Sequence, residues 1–233
     1  MRPNPLFISR RFLLFALLLT YPAFGTTKVH VITFGKWMTV QWLSGLGEDE
    51  KPMTIKIRPL VVDGLVKEYM LGTPHDVTDR LFVVRRVFRV NDSLPEDASP
   101  HWQWQRGGWL LVDRVTGHIS ALNLPEFDNL YSAISWYRDY AAYCGVAEDG
   151  KKLYAVVAEI GHRKPVLKKL LDGSSFGGEL KDATPDSACA TPDWQRAPAR
   201  VTFEAAGSPK QTFAIRGHTV DLINEEEDEE ASK

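Results

Sequence analysis

A serine late in the chain stands in the pattern of a hydrolase nucleophile. Residues 173–177 read G-x-S-x-G, and His218 follows in the chain order that the base of a triad would need. The acids between them are Asp182, Asp186 and Asp193. The chemistry also requires the serine to lie on a sharp turn between a buried strand and a helix. Residues 178–185 carry no apolar helical periodicity, so we predict a flexible Gly-Ser loop and assign no catalytic residue.

The metal-ligating residue types do not fall into a recognisable pattern. The six histidines are His30, His75, His101, His118, His162 and His218. None is four residues from another or lies beside a C-x-x-C pair, as zinc ligands commonly do. The acidic residues do not show the spacing of a calcium loop, and their order does not place two carboxylates across a sugar. The sequence therefore predicts no metal site and no cofactor.

Seven tryptophans in a chain of 233 residues raise a hypothesis of ligand recognition. If residues 101–105 form a strand, Trp102 and Trp104 share one face and the glutamines the other. Such a face could stack on sugar rings or peptide side chains, and Trp136 is a third candidate. The alternative is that these rings, together with Trp109, fill the core between layers. Core packing is the favoured interpretation because nothing in the sequence indicates exposure.

A group of arginines lies along one predicted strand. Its members are Arg80, Arg85, Arg86 and Arg89. The apolar side chains of residues 82–90 alternate onto one face, which leaves Arg85 and Arg89 on the other. The pattern predicts a solvated sheet face.

The elements that position these residues are predicted to be strands. Twelve segments are short, rich in β-branched or aromatic residues and bounded by turn residues. They cover residues 28–33, 37–42, 53–62, 81–90, 109–112, 118–122, 140–146, 153–158, 166–170, 201–204, 212–215 and 219–223. Residues 63–64, 113–117 and 148–150 have the composition of hairpin turns. The sequence therefore predicts a mainly β protein, an antiparallel meander in a single domain.

Helix is predicted in one segment, residues 128–137. Leu130, Ile134 and Tyr137 would share one face of that helix. Two stretches rich in Pro, Asp and Ser, residues 91–100 and 172–192, are predicted to be long surface loops.

Residues 135–170 have the most regular organisation, with apolar segments on both sides of an Asp149-Gly150 turn. A related pattern upstream places Trp109 at an offset of 44 from Leu153. The region 101–170 resembles the blade repeat of β-propellers. The resemblance implies a meander whose inner and middle strands are joined by the Asp-Gly turn. A twisted sandwich is the alternative architecture.

The first 25 residues read as an export signal. A positive start, with Arg2, Arg10 and Arg11, precedes the apolar run of residues 12–19, and residues 23–25 have the small-x-small cleavage pattern. That run is shorter than the roughly 20 residues a membrane anchor needs. The general secretion route and the twin-arginine route both remain open. We predict a periplasmic or extracellular protein with no membrane span after signal removal.

The two cysteines, Cys144 and Cys189, are expected to form a disulfide, because an exported protein matures where thiols oxidise. On the chain-entropy model such a bridge stabilises the fold by about 4 kcal/mol. The alternative is two separately buried thiols. Neither cysteine has a basic residue within two positions, so a catalytic thiol is not predicted.

The charge of the mature chain is concentrated at its end. Without the leader, 25 basic and 30 acidic residues remain, and six of the acids form the run at residues 225–230. Residues 26–224 form the predicted β domain, which carries 24 residues of each sign. A neutral body argues against nucleic acid as a partner, because phosphate binding needs a basic surface. Residues 225–233 are predicted to be a disordered acidic tail.

These features predict an exported β-rich binding or structural module whose ligand is an unknown protein or glycan. The alternative is an exported hydrolase that acts on glycans or peptides. A third possibility is a subunit that adds an edge strand to a larger envelope assembly.

Overall fold

The computed structural model describes residues 29–44, 51–171 and 189–223. The predicted leader, the G-x-S-x-G segment and the acidic tail lie outside the described residues. The strands of the described part are β1 (Ile32–Phe34), β2 (Met38–Ser44), β3 (Lys51–Val62), β4 (Leu65–Asp76), β5 (Leu81–Asn91), β6 (Trp102–Asp113), β7 (Ile119–Leu122), β8 (Ile134–Tyr137), β9 (Tyr140–Val146), β10 (Leu153–Glu159), β11 (Leu167–Leu170), β12 (Asp193–Arg196), β13 (Ala199–Phe203), β14 (Gln211–Arg216) and β15 (Thr219–Ile223).

The structure confirms a mainly β protein built from antiparallel sheets. Most predicted strands are present, and β15 begins and ends at the predicted residues. Three strands, β4, β8 and β12, have no counterpart in the sequence prediction. The sequence does not predict β4 because it contains Gly72 and Pro74, and glycine and proline normally interrupt a strand. The register of β4 against β5 shifts between Leu71 and His75, so a bulge accommodates them.

The predicted helix at residues 128–137 is wrong. Asp128 Oδ1 accepts hydrogen bonds from the backbone N–H groups of Leu130 at 2.7 Å and Tyr131 at 2.9 Å, which close a turn. The chain then continues into β8. Leu130 and Ile134, which would share a helical face, pack against two different core clusters. Tertiary packing therefore overrides the local periodicity.

The first sheet closes on itself. Each strand from β2 to β6 pairs antiparallel with the next. Because five is an odd number, β6 runs in the same direction as β2, and the pair that closes the ring, Trp42 with Trp104, is parallel. β1 and β7 extend this sheet by pairing with β3 and β6. We call it sheet 1.

A bulge in β6 changes the alternation of its side chains. The register of β5 against β6 shifts between Arg85, which pairs with Trp109, and Val87. Between these two residues β5 has one residue, whereas the matching part of β6 has two, Gly107 and Gly108. The extra residue reverses the face on which the following side chains of β6 lie.

Replacing Gly107 with alanine is expected to lower the free energy of unfolding by about 1 kcal/mol, because a Cβ there overpacks the bulge. That atom would lie 3.2 Å from both Arg86 Cβ and the ring of Phe88. Gly108→Ala is the matched control, since its nearest neighbour, Asn129 Oδ1, is 3.9 Å away. Urea unfolding compares the two variants. Equal stability of G107A and G108A would contradict the crowding.

The remaining strands form two four-stranded antiparallel meanders. Sheet 2 has the order β11-β10-β9-β8, and sheet 3 has the order β12-β13-β14-β15. β9 and β10 are buried on both faces, which accounts for their nearly continuous apolar sequence. One face of sheet 2 shares a core with sheet 3. Its largest members are Leu153, Val157, Leu171, Val201, Phe203, Phe213 and Ile215. The other face of sheet 2 packs beneath sheet 1 through Tyr143 and Val156, against Trp109 and Leu122.

Cys144 and Cys189 form a disulfide inside the core that sheets 2 and 3 share. Their Cα atoms lie 6.4 Å apart, and both residues are buried. Cys189 also makes a bridge to Ala205, just beyond the end of β13. The disulfide ties sheet 2 to the strand that enters sheet 3, and it is compatible with an oxidising compartment.

The segment that resembles a propeller blade contains β8 to β11, which form sheet 2. The related upstream segment lies in β6 and β7 of sheet 1. The relationship to propellers stays a prediction. Within the described residues, no helix has the length and apolarity that crossing a bilayer would require.

Candidate functional site

A cleft of about 280 Å³ opens where sheet 1 meets the loop that leads into sheet 2. We call it the arginine cleft. Its lining residues are Leu71, Gly72, Thr73, Arg85, Arg106, Trp109 and residues 130–134. Both of the bulges described above contribute to its wall, and bulges recur beside functional sites because they redirect side chains.

The bulge at Gly107 brings the polar groups of the cleft together. Arg85 and Val87 lie on the same face of β5 because they are two residues apart. Trp109 pairs with Arg85, and Arg106 pairs with Val87, so both lie on that face too. In a regular strand, residues three apart would point to opposite faces. The extra residue in β6 thus places two guanidinium groups and an indole in one cleft.

Arg85 is the most unusual residue of the cleft, and its placement overturns the predicted solvated face. Only 8% of its surface is exposed. Its guanidinium lies 4.9 Å from the ring centroid of Phe127 and 5.9 Å from that of Trp109. Burial, with Arg106 nearby, lowers the pKa of Arg85 to about 10. Arg89, the other arginine of the predicted face, is exposed as expected.

One hydrogen bond satisfies part of the Arg85 guanidinium. Its Nη2 donates to the backbone oxygen of Asn129 at 2.7 Å. In the described part of the chain, Arg85 Nε is buried and has no hydrogen-bond partner, and the same holds for Trp109 Nε1. Leaving a buried donor unsatisfied costs about 1–3 kcal/mol, and more for a charged group. Both nitrogens are buried, so the part of this arrangement that a ligand can meet is the Arg85 guanidinium as a charged group lining the cleft.

The loop that forms the far wall is held rigidly. Ser132 Oγ donates to the backbone oxygen of Cys144 at 2.7 Å and accepts the N–H of Asp128 at 3.0 Å. Tyr143 Oη donates to the backbone oxygen of Pro125 at 2.6 Å. Burial, with a smaller effect of Glu126, raises the pKa of Tyr143 above its usual range, so this donor keeps its proton. The wall is therefore in place before any ligand arrives.

A second, wider cleft of about 630 Å³ adjoins the first. The two share Leu71 and Gly72, and the second adds Trp37, Thr39 and Lys56. No carboxylate lines either cleft within the described residues, whereas three cationic side chains do. Both clefts also have a tryptophan in their walls, Trp37 in one and Trp109 in the other. Together they form a groove that is positively charged and partly aromatic.

The three tryptophans proposed from the sequence lie in different surroundings. Trp102 is 55% exposed at the start of β6. Trp104 is half-buried, packs edge-on against Tyr69 at 5.1 Å and belongs to the core of sheet 1. The Arg89 guanidinium lies 5.5 Å from the centroid of each ring, so both indoles lie on one face.

Trp136 lies at the edge of the arginine cleft rather than beside the other two. Its ring is stacked on His75, with centroids 5.4 Å apart, and meets Trp109 edge-on at 5.0 Å. Both Trp136 and Trp109 pack against the core that sheet 2 shares with sheet 1. Trp102 and Trp104 are therefore not joined with Trp136 in one surface.

The elements of the suggested hydrolase triad are not assembled in the described residues. Ser175 lies outside them, and Asp193 is exposed at the start of β12. His218 lies instead beside Glu159, with Nδ1 2.8 Å from a carboxylate oxygen. Among the described residues that line it, the arginine cleft has donors and cations but no carboxylate or imidazole to serve as a base. Its arrangement suits binding of an acceptor-rich anion. No protein-family model, curated protein or solved structure matches this chain.

Proposed function

We propose that this protein is an exported binding module that captures carboxylate-bearing oligosaccharides in the arginine cleft and the adjoining groove. The observation that carries the proposal is the buried guanidinium of Arg85, a charged donor group that lines the cleft and has one protein hydrogen bond, to the Asn129 oxygen. A carboxylate would accept from that donor, and Arg106 would add a second positive charge beside it.

The sugar part of the proposed ligand follows from the aromatic walls. Trp37 is 46% exposed. The Arg58 guanidinium stacks over its ring, 4.5 Å from the centroid, and this contact holds the indole in position. An exposed indole offers a flat apolar surface on which the C–H face of a pyranose ring can stack. A uronic acid combines such a face with a carboxylate. The size of the groove suits a short oligomer rather than a single residue.

The place of action is proposed from two features. The predicted leader directs the chain across a membrane, and the disulfide needs an oxidising compartment to form. A periplasmic or extracellular module would meet uronate-containing polymers there.

Isothermal titration calorimetry with trigalacturonate tests the proposal. The matched control ligand is the methyl ester of the same trisaccharide, which keeps the sugar rings and removes the charges. We expect the free acid to bind at least tenfold more tightly, because charge-assisted hydrogen bonds contribute about 1.5–3 kcal/mol. Equal affinity for both ligands, or no binding of the acid, would refute the proposed function.

A further inference from the structure

Glu159, His162 and His218 form a cluster where sheet 2 meets sheet 3. Their potential ligand atoms all lie within 4.8 Å of one another. His218 Nδ1 is 2.8 Å and His162 Nε2 is 3.5 Å from the Glu159 carboxylate, each from a different oxygen. The two imidazole rings have centroids 5.1 Å apart. The cluster opens onto a cleft of about 290 Å³, separate from the arginine cleft.

The backbone places these three side chains without help from a ligand. Glu159 ends β10, and the N–H of His162 donates to its backbone oxygen at 3.1 Å across a tight turn. Gly161 in that turn has a φ of 90°, a conformation that other residues rarely adopt. The chain reversal therefore brings Glu159 and His162 to the same side.

His218 arrives from sheet 3 in the turn between β14 and β15. Gly217 before it has a φ of 59°, and its backbone oxygen accepts a hydrogen bond from Tyr140 Oη at 3.1 Å. Tyr140 itself pairs with Glu159 across β9 and β10. One hydrogen bond thus fixes the hairpin of sheet 3 over the end of sheet 2, and it fixes His218 over Glu159.

The carboxylate has an acceptor that the protein does not satisfy well. Glu159 Oε2 is buried, and within the described residues it accepts no hydrogen bond of good geometry, although His218 Nδ1 lies 2.8 Å away. This oxygen therefore lacks a satisfied hydrogen bond, and a metal ion bound between the three side chains would give it a partner. The imidazoles are exposed, at 54% and 70% of their side chains, so a metal ion can reach the cluster from solvent.

We propose that Glu159, His162 and His218 bind a divalent transition-metal ion of the zinc class and link sheet 2 to sheet 3 through it. Two imidazole nitrogens and one carboxylate oxygen are a donor set that zinc uses in proteins, whereas calcium and magnesium prefer oxygen ligands throughout. Three protein ligands leave a fourth position of a tetrahedral ion for water. This site is independent of the proposed oligosaccharide binding.

Titration of the tag-free protein with Co²⁺ tests the site spectroscopically. Tetrahedral Co²⁺ bound by imidazole has visible absorption bands that the hydrated ion lacks. We expect these bands to saturate at one ion per chain and to disappear when Zn²⁺ is added. Calorimetry should show Zn²⁺ binding that is about 100-fold weaker in His162→Ala, in His218→Ala and in Glu159→Gln.

The matched control is His101→Ala. His101 is also an exposed histidine beside a carboxylate, with Nδ1 3.5 Å from Asp97 Oδ2, but it has no third ligand in the described part of the chain. Its removal should leave the Co²⁺ spectrum and the Zn²⁺ affinity unchanged. Thermal unfolding of each variant without metal shows whether it folds. An absent Co²⁺ spectrum in the wild type, or Zn²⁺ binding of equal strength in the wild type and in H162A/H218A, would overturn the proposal.

Discussion

Replacing both Cys144 and Cys189 with alanine is expected to lower the free energy of unfolding by about 4 kcal/mol. The cysteines are 45 residues apart, and the bridge restricts a long loop of the unfolded chain. Both residues are buried among Phe203, Phe213 and the apolar side chains of sheet 2. For a chain of this size the melting temperature should fall by roughly 10 °C. Calorimetric unfolding of the wild type and the double variant measures the difference.

A reducing agent tests the contribution of the disulfide bond to stability separately from that of the two cysteine side chains. Dithiothreitol should destabilise the wild type by a similar amount and should leave C144A/C189A unchanged. If neither the double substitution nor dithiothreitol lowers the free energy of unfolding, the disulfide contributes nothing to stability. The shared core would then hold sheets 2 and 3 together by itself.

Arg85→Met is expected to weaken trigalacturonate binding by about 100-fold. Methionine fills the volume of the apolar stem but removes the charge and the guanidinium donors that the ligand would use. The variant also loses the hydrogen bond to the Asn129 oxygen, so we expect its free energy of unfolding to fall by about 1 kcal/mol without loss of the fold. Calorimetric titration measures the affinity, and urea unfolding confirms the fold.

The matched control for Arg85 is Arg89, four residues along the same strand. Its guanidinium lies 5.5 Å from the ring centroids of both Trp102 and Trp104, so Arg89→Met removes a cation from the other aromatic surface. Arg89→Met should keep wild-type affinity. If R89M abolishes binding and R85M does not, the ligand binds at Trp102 and Trp104, and the arginine cleft serves only to hold the loop through Asn129.

The sheet content of this protein could be predicted because it depends on local patterns. The strand from Thr219 to Ile223 alternates and is bounded by a glycine turn, so its ends were visible in the sequence. The strand from Leu65 to Asp76 was not, because its Gly72 and Pro74 belong to a bulge whose tolerance depends on the neighbouring strand. The helix predicted at residues 128–137 was wrong because its apolar residues have helical spacing but pack against two different core clusters.

The arginine cleft could not be predicted because it depends on register between strands. Simple alternation predicts that Arg85 faces solvent, whereas the extra residue in β6 places both Arg106 and Trp109 on the face of Arg85. The signal in the sequence was the pair Gly107-Gly108 inside a strand, which indicates a bulge.

The cluster of Glu159, His162 and His218 could not be predicted from the sequence for a different reason. His162 and His218 come from different sheets, and no spacing rule connects them. The glycine that precedes each histidine, Gly161 and Gly217, indicates a turn but not a ligand.

A crystal structure of the complex with trigalacturonate would show directly where the carboxylates and the sugar rings bind. We expect a carboxylate oxygen within about 3 Å of a nitrogen of the Arg85 guanidinium and a pyranose ring against Trp37 or Trp109. A ligand seated on Trp102 and Trp104, with the arginine cleft free of carboxylate, would contradict it.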